Sequence, residues 1–257
     1  MSRYEAMFRR SGNAGVFGAF VMLGDPDLES CAAILDRLVE GGADMIEVGI
    51  PFSDPVADGP VVQAAGVRAL ANGTTPADCF ALLSGFRARH PDVPVGILTY
   101  ANLVLARGRD DFYARAAWAK VDSVLVADVP VLEAAPYAKA AQAHGIEPVL
   151  IAAANTPRER LGEIARLGGS YTYCVARAGV TGADREAEFD HQAMLDGLRE
   201  AGAPPPIFGF GISRPEQVRA ALAAGAAGVI AGSAIVDLVA RGEDVAPFVR
   251  EMKAATL

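Results

Sequence analysis

The sequence is poor in the residues that would mark a metal-bound, disulfide-stapled or membrane protein. Cysteine occurs three times, at Cys31, Cys79 and Cys174. The set is odd and widely spaced, with no CxxC pair and no Cys/His cluster, so three small buried hydrophobes are expected rather than a nucleophile or a metal site. Histidine also occurs three times, at His90, His144 and His191. Each follows a helix-like segment or lies in a polar stretch, and all three are expected at the surface. Although 52% of residues are hydrophobic, no apolar run reaches the ~18–20 residues that span a bilayer. The first ten residues carry charge and lack an apolar core with a small-residue cleavage site, so a soluble cytoplasmic protein is expected. Basic residues are in deficit: 23 Lys and Arg stand against 31 Asp and Glu, a net charge of −8. They are scattered, which argues against nucleic acid. An acidic chain that binds an anion must hold it locally, through backbone amides and helix dipoles.

What is present is a repeated switch of hydrophobic period. Eight short, nearly continuous apolar runs read as parallel strands covered by helices: 16–23, 44–50, 94–100, 123–129, 147–153, 171–176, 206–212 and 228–233. Helical segments lie between them. Leu28, Cys31, Ala32, Leu35, Leu38 and Val39 follow helical spacing, and Gly41-Gly42 ends that helix. Thr75-Pro76-Ala77-Asp78, Thr156-Pro157-Arg158-Glu159 and Ser213-Arg214-Pro215-Glu216 predict capped helix starts at Thr75, Thr156 and Ser213. Strict alternation leaves a closed barrel or an open doubly wound sheet. Eight strands in 257 residues, with no GxGxxG after the first, favour a single-domain (β/α)8 barrel spanning residues 1–257. No Pro/Gly/Ser-rich linker divides the chain.

Barrel active sites lie at the C-terminal strand ends and in the loops that follow. Glu47 is an acid within the apolar second strand; facing the lumen, it would have a raised pKa and serve as both acid and base. Otherwise it is a glutamate satisfied by buried hydrogen bonds, or one facing out to a helix. Asp58 sits on a loop stiffened by Pro51, Pro55 and Pro60, where it can present a carboxylate; Asp54 before Pro55 also suits a turn. Strand seven ends in Gly209-Phe210-Gly211-Ile212. Strand eight ends in Ala231-Gly232-Ser233-Ala234 and runs into a helix. Such glycines and a helix N-terminus suit a phosphate held without lysine or arginine, or they simply make tight turns. The Arg177–Asp190 stretch after strand six has the composition of a lid. Tyr173 either aims its hydroxyl into the lumen or is core.

These residues resemble the tryptophan synthase α-subunit family essentially from end to end. The resemblance runs through Leu23-Gly24-Asp25-Pro26, Gly49-Ile50-Pro51-Phe52-Ser53-Asp54-Pro55, Ala57-Asp58-Gly59-Pro60, Asp122–Pro130, Arg177–Gly182 and Gly209–Ser213. It implies retro-aldol cleavage of indole-3-glycerol phosphate to indole and glyceraldehyde 3-phosphate. It also implies a β-subunit partner, as an α2β2 heterotetramer, with pyridoxal phosphate in the β subunit and no cofactor in this chain. By resemblance Glu47 is the general acid/base, Asp58 the partner of the indole N–H, and Tyr173 a supporting hydroxyl. Phe20, Leu98, Tyr100, Leu125, Ala127 and Ile151 line the indole pocket. Gly182, Gly211, Gly232 and Ser233 hold phosphate with Phe210 nearby, and Thr181 contacts Asp58. The loops flanking Asp54–Asp58 and the segment near Asn102–Arg107 form the partner face. The chain departs from the family at Ala152-Ala153-Ala154, where proline is common.

Three other readings use the same residues. A free-standing indole-glycerol-phosphate lyase needs no partner. A different barrel phosphate enzyme, such as an isomerase or another aldolase, is the second; a Schiff-base aldolase would need a lumen lysine at a strand end, and Lys120, Lys139 and Lys253 all fall outside the expected strands. A silent barrel that only activates a partner has no need of both Glu47 and Asp58.

Overall fold

A computed structural model describes residues 1–175, 191–209 and 211–257. Eight parallel strands close into a barrel in sequence order. They are β1 (Val16–Met22), β2 (Met45–Gly49), β3 (Val95–Thr99), β4 (Ser123–Val126), β5 (Glu147–Ala153), β6 (Thr172–Val175), β7 (Pro206–Gly209) and β8 (Gly228–Ala231). Closure comes from β1 pairing with β8, Val16 opposite Gly228 and Ala19 opposite Ala231.

The strands read as unbroken apolar runs because both faces are covered. Alternate residues sort into two cores. Phe20, Met45, Leu98, Leu125, Tyr173 and Ile230 face the lumen, while Ile46, Val48, Ile97, Val124, Phe208 and Val229 face the helices. Glu47 falls on the lumen face by the same alternation, opposite Phe20 in the β1–β2 register.

The bottom of the lumen is stoppered by the helix Arg3–Ser11, whose Tyr4 and Met7 are each 1% exposed. Tyr4 and Ser123 share a 2.8 Å hydrogen bond. Arg3 and the buried Arg87 both donate to Asp122, at 2.7 Å each, and Asp122 also accepts from the Val95 amide. One carboxylate thus ties the stopper, β3 and the helix Pro76–Arg89 together.

The helix starting at Pro76 has the expected capping box: Thr75 accepts from the Asp78 amide, and Asp78 accepts from Thr75 N. The other two starts lie one residue later than the sequence suggests. Pro157 is the N-cap of Arg158–Leu167, because the Thr156 hydroxyl turns back to accept from Ala153 N. Arg214 is the N-cap of Pro215–Ala223, where the Gln217 side chain accepts from the Ser213 and Arg214 amides. His191 is a correction of another kind. It is 3% exposed rather than at the surface, because its ring packs on Phe208 with centroids 5.2 Å apart. The three cysteines are buried and unbridged.

Candidate active site

The C-terminal strand ends open onto a cavity lined by Phe20, Glu47, Asp58, Val62, Leu98, Tyr173, Gly211, Ile230, Gly232 and Ser233. Eight of these were singled out from the sequence; Val62 and Ile230 were not. Val62 belongs to the helix Pro60–Ala71, which closes over the strand ends after the Asp58 loop.

Glu47 is 1% exposed. Burial pushes its carboxyl up to about 7, because the charged form loses its water. Tyr171 opposes that shift: its hydroxyl donates to Glu47 Oε1 at 2.8 Å. The second oxygen, Oε2, has no hydrogen-bond partner among the described residues. One oxygen is therefore held and the other is left for a proton or a ligand. Tyr171 was overlooked in the sequence, although its spacing of two from Tyr173 put both rings on the lumen face.

Asp58 is 7% exposed. The loop that carries it is folded by local bonds, with Val56 N donating to Asp54 O and Asp58 N to Pro55 O. Asp54 itself is an exposed turn residue, accepting from the Ser53 hydroxyl at 2.5 Å. Gln63 Nε2 donates to Asp58 O at 2.7 Å and pins the loop to the helix that follows. Burial raises the Asp58 carboxyl to about 6, and the nearby Tyr100 hydroxyl holds it down in part. That hydroxyl lies beside Asp58 without hydrogen-bond geometry. Its ring stacks on Phe52, centroids 5.5 Å apart.

Across the cavity, the helix Ser233–Ala240 begins at the end of β8 with Gly232 as its N-cap. Its first-turn amides have no intrahelical acceptor and carry the positive end of the helix dipole. Gly211 has φ +75°, a left-handed backbone that L side chains rarely adopt. Gly209 is required for a different reason: a Cβ there would lie 2.0 Å from the Tyr173 hydroxyl. No lysine or arginine lines the cavity among the described residues.

Leu125 belongs to the lumen core, and Ala127 and Ile151 pack against it, but none of the three lines this cavity. Tyr100 also lies outside the lining and reaches the site through Asp58. Thr181, Gly182 and Phe210, with the rest of the Arg177–Asp190 stretch, lie outside the described residues. Among the described residues no three His, Cys, Asp or Glu side chains gather as a metal site would require. No helix among them is long and apolar enough to cross a membrane.

In chemical terms the cavity offers two buried carboxyls of different acidity, an aromatic and aliphatic slot, and an amide cradle at the far end. Residues 8–256 match the family described as tryptophan synthase alpha chain. The chain is 52% identical over 266 residues to the tryptophan synthase alpha chain of Shewanella amazonensis, covering all of both proteins. It is 51% identical to that of Cronobacter sakazakii, covering 100% of this chain and 99% of the other. Among solved structures, Mycobacterium tuberculosis tryptophan synthase superposes with a TM-score of 0.89 at 27% identity, covering 99% and 98% of the two chains. The tryptophan synthase complex of Pyrococcus furiosus gives 0.83 at 34% identity, covering 94% and 98%.

Proposed function

The chain belongs to the tryptophan synthase alpha chain family, and from that premise we propose how it acts as a lyase of tryptophan biosynthesis. The reaction is retro-aldol cleavage of indole-3-glycerol phosphate to indole and glyceraldehyde 3-phosphate. The observation that carries this reading is the pair of buried carboxyls in one cavity, Glu47 near 7 and Asp58 near 6. At neutral pH such a gap leaves Glu47 available in both protonation states and Asp58 mostly ionised.

The bond to indole C3 breaks when that carbon gains a proton and the adjacent glycerol hydroxyl loses one. Glu47 gives its proton to C3. As a carboxylate it then takes the hydroxyl proton while the C–O bond becomes C=O and the C–C pair flows into the ring. Glu47 ends protonated, as it began. Asp58 accepts a hydrogen bond from the ring N–H and favours the positive charge that builds there. Tyr173 stands against the same bond as a supporting hydroxyl. Phe20 and Leu98 sandwich the ring within the slot, with Tyr100, Leu125, Ala127 and Ile151 behind it. The phosphate rests on the amides of Gly211, Gly232 and Ser233, with Gly182, Phe210 and Thr181 completing the closed site. Holding the substrate at both ends contributes up to ~7–11 kcal/mol through orientation.

The reading assigns no cofactor to this chain and places pyridoxal phosphate in a β-subunit partner within an α2β2 assembly in the cytoplasm. Val56, Leu105 and Leu132, 69%, 45% and 63% exposed, lie in the connections after β2, β3 and β4, Leu105 at the end of the short helix Ala101–Leu105 and Leu132 in the 3-10 turn Val131–Glu133. Three large apolar side chains on neighbouring connections suit a partner face.

The test is indole release from indole-3-glycerol phosphate by purified chain, with and without a cognate β subunit. Slow release that rises sharply with partner is the expected result. Fast release by the chain alone would mark an independent lyase, and no release in either condition would sink the assigned reaction.

A further inference from the structure

A second cavity, of about 360 Å³, lies outside the lumen between β4, β5 and two covering helices, Arg109–Trp118 and Ala135–Ala143. It exists because the strands part. β4 and β5 pair from Ser123↔Glu147 to Leu125↔Val149, and above that point Leu150 to Ala153 pair only with β6. The cavity opens at this unpaired seam. Val124, Leu150 and Ala138 of its lining belong to the outer core. Val149, Ala127 and Ile151 belong to the lumen core or pack against it. Ala127 and Ile151 are therefore the wall between this chamber and the lumen.

Three polar side chains line the chamber, Tyr113, Tyr137 and Asp128, and of these Tyr113 is the buried one. Tyr113, on the helix Arg109–Trp118, is 1% exposed. Its ring meets Phe112 edge-on, and its hydroxyl makes no hydrogen bond to the described residues. Burial pushes that hydroxyl far above its ordinary range, so it stays an intact O–H with free lone pairs. No lysine or arginine lines the space among the described residues. Among the described lining residues the one charged side chain is Asp128, exposed and accepting from the Ala101 amide at 2.7 Å. The rest of the lining is mainly apolar, and the volume falls in the range of small-molecule pockets, about 300–1,000 Å³. A neutral, flat ligand with one ring N–H fits both the walls and the tyrosine oxygen.

We propose that the β4–β5 seam holds a second binding site for a neutral bicyclic aromatic of the indole class, with Tyr113 as its hydrogen-bonding partner. The choice of indole rests on the reading that the neighbouring lumen releases it. The site is distinct from the phosphate-anchored one: it has no amide cradle and no paired carboxyls, so the phosphorylated substrate is excluded.

The test titrates indole into full-length chain labelled at alanine, leucine and valine methyls. Direct contacts from indole ring protons to the Ala134 and Ala138 methyls are expected, with a saturation curve separate from that of Leu98 and Leu125 in the lumen. Tyr113→Phe should weaken the Ala134/Ala138 curve about 2–10-fold, the range for one lost hydrogen bond, and leave the Leu98/Leu125 curve in place. Contacts at Leu98 and Leu125 alone, or an unmoved Ala134/Ala138 curve in Tyr113→Phe, would overturn the proposal. Ala138→Phe, which fills the chamber, should abolish the second curve; its persistence would also count against the site. Failure of indole-3-glycerol phosphate cleavage would show separately, in the release assay, and would not alter these contacts.

Discussion

The Tyr171 hydroxyl donates to Glu47 Oε1 at 2.8 Å, joining two lumen-facing side chains 124 residues apart. The bond stabilises the carboxylate and so pulls the Glu47 pKa down against burial. Tyr171→Phe should therefore raise it. A hydrogen bond to a charged group is worth ~1.5–3 kcal/mol, so the limb of the kcat/KM pH profile that reports Glu47 should move up by about one to two units. A downward shift would dissociate Tyr171 from the acidity of Glu47.

Glu47→Gln should lose ~10²–10⁴-fold in rate, the range for a general acid/base. It should also gain stability at alkaline pH. The folded-state value of about 7 lies above the ordinary 4.5, so the favourable contribution of the neutral carboxyl is complete below 4.5 and lost as pH rises through 7. Relative to wild type, the glutamine variant should be more stable by on the order of 3 kcal/mol at pH 8.5, and by little at pH 4.5. Urea melts at the two values check this, and equal differences at both would refute it.

Gly211→Ala should raise KM while changing kcat less. Among the described residues nothing lies within 4 Å of a Cβ at this position, so the penalty comes from φ +75°. A left-handed L residue costs roughly 1–2 kcal/mol, and relief comes by moving the backbone that lines the cavity. KM for the phosphorylated substrate should rise about 5–30-fold. An unchanged KM would remove this turn from the anchor.

Gly209→Ala and Tyr173→Phe separate shape from chemistry at one spot. The new methyl would meet the Tyr173 hydroxyl at 2.0 Å and drive the ring aside, costing roughly 1–3 kcal/mol of stability along with activity. Tyr173→Phe should keep the thermal midpoint and lower kcat alone. If both variants melt like wild type, the ring is not fixed by Gly209.

The barrel was legible because eight apolar runs, each buried on both faces, repeat at helix-bearing intervals. The ends of the runs were less so. Tyr100 continues the apolar pattern of β3 yet already serves as the N-cap of Ala101–Leu105. Val129 looks like strand, but its amide turns back to Val126 O. Glu47 stood out because an acid is rare within an apolar strand, while Asp58, on a loop where Asp is an ordinary turn residue, was singled out by the family resemblance; Tyr171 was not, since a strand tyrosine is ordinary until its hydroxyl is seen to have a carboxylate within reach. His191 and the starts at Pro157 and Arg214 depend on which neighbour completes a hydrogen bond or a ring contact, and local sequence does not carry that information.

Gly211, Gly232 and Ser233, the proposed phosphate anchor, line the cavity with no lysine or arginine among the described lining residues. Apart from a change to proline, which removes the N–H itself, an amide is lost only by being displaced by what is added. Loss-of-function changes at this end of the site should therefore be gains of bulk, and truncations to alanine or glycine nearby should be silent. The spectrum of inactivating mutations would be lopsided here and symmetrical around Glu47, where the side chain itself is the instrument.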